Sequence, residues 1–90
     1  MDGRQRVGWN LRRVRTRASI TQEMLAYDAG VDRSTVSGIE NASFNPTVDL
    51  LEKLAKTLDI DIAEFFVATD GKEPPKPLSA GRKATGRGSG

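Results

Sequence analysis

The chain has no cysteine and no histidine in its 90 residues. Without cysteine there is no disulfide and no thiolate metal site, which fits a reducing compartment. The two side chains that most often serve as nucleophile or general base near neutral pH are missing. Neither a phosphate-binding loop nor a recognisable pair of carboxylates stands in for them, so an enzyme is not expected. No cofactor or metal is expected either. Apolar runs stay well short of the roughly 18 residues of a membrane span, and no signal-peptide core follows the basic start. A soluble, cytoplasmic protein with no membrane partner is the expectation. There is no internal repeat, and the length holds one domain with a small core that dimerisation would help to stabilise.

What the chain does have is charge, and it is unevenly spread. The net charge is only +2. Residues 1–20 carry six arginines and one acid, residues 21–70 carry ten acids against three bases, and residues 71–90 carry five bases against one acid. Such segregation suits a basic face that meets phosphate and an acidic face turned away from it, although a solvated surface coat is the bland alternative.

Residues 1–6 lack periodicity and read as a flexible N-terminal arm. Helix one is expected from Arg6 to Arg17, with Val7, Leu11, Val14 and Ala18 on one stripe. Thr21 to Glu40, TQEMLAYDAGVDRSTVSGIE, then reads as two short helices broken at Gly30, where a chain leaving a helix needs positive φ. Ser19 or Thr21 caps the first of them, and Asp32 has a side chain suited to cap the second. Ala26 supplies the small residue that a close helix crossing requires. Val36 and Ile39 lie at i and i+3 on the buried side of the second helix, leaving Arg33, Ser34, Ser37 and Gly38 exposed, with Thr35 at the margin. Two short helices with one exposed polar face form the layout of a DNA-reading helix-turn-helix.

Phe44 is expected to plug the core beneath the following loop. Asn45-Pro46 marks a boundary, and Thr47 caps helix four, whose apolar stripe is Val48, Leu51, Leu54, Ala55 and Leu58. Asp61 and Glu64 resemble a capping box for a short fifth helix over residues 62–67. From about residue 69 to residue 90 the chain is rich in proline, glycine and basic residues and reads as a disordered tail. The expected division is therefore an arm at 1–6, a DNA-binding domain at 7–68 and a tail at 69–90.

These residues resemble the Cro and phage-repressor class of helix-turn-helix proteins, the XRE family. The likeness includes Leu11, Val14 and Arg15 in helix one and NPTVDLLEKLAKTLDI, Asn45 to Ile60, beyond the motif. It spans about Val7 to Phe66. It implies an all-α, five-helix, lambda-repressor-like domain with the helix-turn-helix at helices two and three. It further implies a homodimer that binds a palindromic operator in double-stranded DNA and regulates transcription, as a repressor or autoregulator. Contact with RNA polymerase or another protein is left open.

Arg33, at the first turn of the recognition helix, is the leading base-contacting candidate, since its fork matches guanine O6 and N7; a phosphate contact is the alternative. Ser34, Ser37 and Thr35 can reach bases or phosphates, and Gly38 is expected to let the helix approach DNA closely. Gln22 matches the family position that holds a phosphate at the start of helix two, where the helix end itself attracts anions. Arg12 and Arg13 are expected to face outward toward phosphate, joined by Asn41, Ser43 and Asn45. The resemblance implies that Arg15 pairs with Glu40. Ala42 stands where the family usually has glycine, so Asn41 is expected to take the left-handed position. Leu50, Ile60, Phe65, Phe66 and Val67 are the dimer-interface candidates, because one turn of helix cannot hide so many apolar groups in so small a core. Trp9 lies off the helix-one stripe and is available to pack on the arm or on a partner. The competing function is an antitoxin, with the tail neutralising a protein toxin while the domain binds its own operator; Leu78 is the only large apolar anchor there.

Overall fold

Asp2 starts the first helix, earlier than the apolar spacing suggests. In the computed structural model, which describes residues 2–69, Gly3–Arg17 form α1. The Asp2 carboxylate accepts from the Gln5 amide at 2.9 Å, and the Gln5 side chain accepts from the Asp2 amide at 2.8 Å. This reciprocal box satisfies two amides that a helix start leaves orphaned, so the expected arm is instead helical from Gly3. Val7, Leu11 and Val14 face inward, while Ala18, expected on the same stripe, is the exposed C-cap.

Gln22–Ala29 form α2 and Arg33–Glu40 form α3. Thr21 caps α2 by accepting from the Met24 amide, and Gly30 ends it at φ +72°, a conformation that costs an L side chain but not glycine. The small side chain of Ala26 is buried at the α2–α3 junction. Asp32 occupies the N-cap position of α3, but its carboxylate makes no capping bond. Past α3 the left-handed residue is Ala42, at φ +62°, while Asn41 is right-handed at φ −86°; the expectation for Asn41 is corrected.

Val48–Leu58 form α4, capped by Thr47. Its inward face is Leu51, Leu54, Ala55 and Leu58; Val48, placed on that stripe by spacing, is the first residue of the helix and is 69% exposed. The last element, Ile62–Phe66, is a 3-10 helix, so the described residues hold four α-helices, one 3-10 turn and no strand. Asp61 caps it through the Ala63 amide, but Glu64 does not complete a box and turns to Arg13. Phe65 points inward at 0% exposure, while Phe66 and Val67 stay outside. Leu11, Leu25, Val36, Ile39, Leu54 and Phe65 make the centre of the core. Phe44 is 42% exposed and does not plug it. The expected tail lies outside the described residues from residue 70 onward.

Candidate nucleic-acid interface

The surface of α3 follows directly from its packing. Val36 and Ile39 are buried, which fixes the opposite side outward. Arg33 and Ser34 are exposed; Thr35 and Ser37 are half-buried. Arg33 makes no hydrogen bond or ion pair among the described residues, so its full set of donors is available. Ser37 Oγ accepts from Asn41 Nδ2 at 3.4 Å, linking the middle of the face to the residue after the helix.

At Gly38 the absent side chain also has a neighbour within the protein. A Cβ placed there would lie 3.1 Å from the Phe44 Cβ and 3.6 Å from the Ser43 Oγ. Its side-chain direction therefore points into the following loop, and the Gly38 carbonyl accepts from the Ser43 amide at 2.9 Å and the Ser43 hydroxyl at 3.3 Å. Gly38 makes room for that loop. Asn45 is exposed two residues beyond Ser43.

Behind the face, one carboxylate gathers three donors. Glu40, whose side chain is closed to solvent, accepts from Arg15 Nε at 2.6 Å and Nη2 at 3.0 Å, from Arg12 Nε at 3.1 Å and from Gln22 Nε2 at 3.1 Å. Burial by itself would raise the Glu40 pKa; hydrogen bonds from Arg15, Gln22 and Arg12, with the Arg15 charge, outweigh it and hold the carboxyl below its ordinary range. Arg15 is buried and spends its remaining Nη1 on the Ile20 carbonyl. The cluster ties α1, the start of α2 and the end of α3 together, and sets Gln22 at the anion-attracting end of α2.

Arg12 and Arg13 do not simply face outward. Arg12 gives Nε to Glu40, and among the described residues its two terminal nitrogens have no partner, with 22% of the side chain exposed. Arg13 turns the other way: Nε donates to Asn10 Oδ1 at 3.0 Å, and Nη2 to the Glu64 carbonyl at 3.0 Å and carboxylate at 3.3 Å. It clasps the 3-10 segment rather than simply facing outward. Beside it Asn10, fully buried, donates to the carbonyls of Phe65 at 3.1 Å and Val67 at 2.8 Å.

The apolar end is divided. Phe65 is core, a correction to its place among the interface candidates, whereas Phe66 and Val67 are 47% and 44% exposed and Leu50 and Ile60 are half-buried. Val48 and Phe66 border a groove of about 550 Å3 floored by Val7 and Leu51. No group of residues among those described is arranged to hold a metal ion, and no described helix is long and apolar enough to cross a membrane.

Two positions that hold the site's scaffold together escape sequence reasoning. Gly8 lies where α1 meets the end of α3, and a Cβ there would overlap the Ile39 carbonyl oxygen and sit 2.9 Å from that of Glu40. Asn10 is the other. An interior glycine and a polar residue on helix one are the only signals, and neither names its distant partner.

A helix-turn-helix family model matches residues 11–65. The HTH-type transcriptional regulator y4dJ of Sinorhizobium fredii is 36% identical over 70 residues, covering 78% of this chain and 91% of that protein. Among solved structures, the restriction-modification controller protein C.AhdI from Aeromonas hydrophila is 40% identical with a TM-score of 0.68, covering 70% of this chain and 96% of that one. The hypothetical transcription factor NHTF from Neisseria is 29% identical with a TM-score of 0.73, covering 77% and 79%.

Proposed function

The chain belongs to the XRE-type helix-turn-helix family of DNA-binding transcriptional regulators, and we propose that it binds a palindromic operator as a homodimer and acts as a repressor or autoregulator in the cytoplasm. The observation that carries this reading is α3 itself: Arg33 and Ser34 exposed at its first turn, Arg33 without a partner among the described residues, on a helix whose other side is locked into the core. In this reading Arg33 reads a base, with Ser34, Ser37 and Thr35 adding short hydroxyl contacts. Gln22, Arg12, Asn41, Ser43 and Asn45 hold the backbone that flanks the groove.

The second half of the proposal rests on the apolar end. Phe66 and Val67, with Leu50, Ile60 and the exposed Val48, offer a surface that a second copy covers. A two-fold pairing there presents two α3 helices to one side of a duplex about one turn apart, so symmetry of the protein becomes symmetry of the site. The likeness to a restriction-modification controller supports a dedicated regulatory role.

Selection of bound fragments from random DNA, followed by sedimentation of the complex, tests the proposal. The expected result is an inverted repeat with half-sites about one helical turn apart and two chains per site. A single asymmetric site holding one chain would overturn the homodimer, and no enrichment at all would overturn operator binding. A reporter whose promoter overlaps the selected site should fall in output when the protein is supplied; a rise would overturn repression.

A further inference from the structure

The Trp9 indole nitrogen is the one buried side-chain nitrogen or oxygen among the described residues with no hydrogen-bond partner. An N–H sealed from water without an acceptor is unfavourable, and native structures rarely leave one so. Trp9 lines a pocket of about 270 Å3 between α1 and the end of α3, together with Gln5, Arg12 and Asn41. These neighbours bring donors, with the Asn41 amide also offering an acceptor oxygen. Arg12 has two terminal nitrogens to spare, Gln5 has committed its carbonyl to Asp2 and keeps its amide N–H groups, and Asn41 is exposed. Glu40 is the only acid in the lining, and it is closed to solvent and already holds Arg15, Arg12 and Gln22. The buried Arg15 behind the lining already balances the Glu40 carboxylate, so the Arg12 guanidinium at the pocket keeps its charge for another partner.

A donor-rich pocket with the unengaged end of a guanidinium suits an anion bearing several acceptor oxygens, which is the chemistry of phosphate. Its position says which phosphate. Asn41 is four residues on from Ser37 and eight from Arg33, so it continues the outward face of α3, and its amide reaches Ser37. A duplex that takes α3 into its groove carries its backbone past Asn41 and hence across the pocket.

We infer that this pocket is a backbone-phosphate site of the DNA interface, in which the Trp9 indole N–H donates to a phosphodiester oxygen and the terminal nitrogens of Arg12 neutralise its charge. The indole N–H is closed to solvent in the free protein, so this contact requires a side chain beside it to move aside when the duplex binds. The inference rests on the reading that α3 enters the groove, and it adds a residue that reads no base.

Trp9 is the only tryptophan in the chain, so its indole resonance reports on this site alone. In the full chain, a saturating duplex should move the indole proton resonance, and Trp9→Phe should weaken binding about tenfold, the loss expected for a hydrogen bond to a charged group, equally on operator and random duplex. The log-log salt slope should be unchanged by Trp9→Phe and shallower by nearly one unit for Arg12→Ala. Because Trp9→Phe removes an unpaired buried donor, its unfolding midpoint should not fall, which separates a lost contact from a damaged fold.

An unmoved indole resonance, or wild-type affinity in Trp9→Phe, overturns the inference. So does a resonance that responds to inorganic phosphate but not to duplex, which would make the pocket a free-anion site. If Arg33→Ala alters sequence choice while Trp9→Phe is silent, this inference fails and the groove reading stands; if no duplex binds, both fail.

Discussion

Arg15 Nε donates to Glu40 Oε2 at 2.6 Å, and neither side chain is open to solvent. The pair joins the first helix to the recognition helix, so it places the DNA-reading face relative to the rest of the domain. Removing one member strands the other charge in the interior, which costs about 3–5 kcal/mol, a large share of what a domain this small has. The same carboxylate makes stability depend on pH. Its folded pKa lies below the ordinary carboxylate value, so its contribution is complete above the unfolded pKa of about 4.3 and is lost as pH falls through the folded value. Urea unfolding should show Glu40→Gln less stable than wild type at pH 7, with the gap closing below about pH 4.3. A gap that stays constant into acid would contradict this account.

Asn10 should matter as much as a core leucine. Its amide is the donor for the Phe65 and Val67 carbonyls, and its carbonyl oxygen holds Arg13. Asn10→Ala leaves those groups without their partner, at a cost of about 1–3 kcal/mol for each buried group left unsatisfied. Amide exchange over residues 62–67 should accelerate before exchange in α4 does. Uniform acceleration through all the helices would show that the clasp is not local.

Ala42 offers a gain in the opposite direction. An L residue at φ +62° carries strain of about 1–2 kcal/mol, against about 0.4–1 kcal/mol that glycine adds to the entropy of the unfolded chain. Ala42→Gly should therefore stabilise the domain by about 0.5–1 kcal/mol, read as a higher urea midpoint at unchanged m-value. A lower midpoint would show that the turn gains more from the methyl group than it loses to strain.

The elements that can be read from the sequence are those set by neighbours along the chain. Gly30 ends α2, Thr21 and Thr47 cap α2 and α4, and Val36 with Ile39 fixes the inward side of α3, all through contacts within a few residues. Resemblance, not spacing, is what pointed to Arg15 and Glu40. Helical spacing tells which way Arg12 and Arg13 leave α1 but not what lies there; Glu40 and Glu64, 28 and 51 residues away, decide that. Phe65 and Phe66 are equivalent as sequence; consecutive helical side chains point in different directions, and only the docking of the segment against α1 decides which of the two is core. Gly8 and Asn10 are silent for the same reason: each is defined by a backbone carbonyl brought up from far along the chain.

Arg33 is the sharpest test of the interface. It is exposed and without a partner among the described residues, so Arg33→Ala should leave folding stability within about 0.5 kcal/mol of wild type. On the selected operator the same change should cost about 1–3 kcal/mol and relax preference at one base pair of each half-site, because the bidentate fork to guanine is lost. Asp32, adjacent and free of any capping bond, keeps a negative charge at that helix start. Asp32→Asn should accordingly strengthen binding to all duplexes by a similar small factor while leaving the preferred sequence unchanged. Competition against random DNA separates the two effects. If Arg33→Ala weakens specific and random binding equally, its guanidinium holds a phosphate and the reading of sequence passes to Ser34, Ser37 and the shape of the groove.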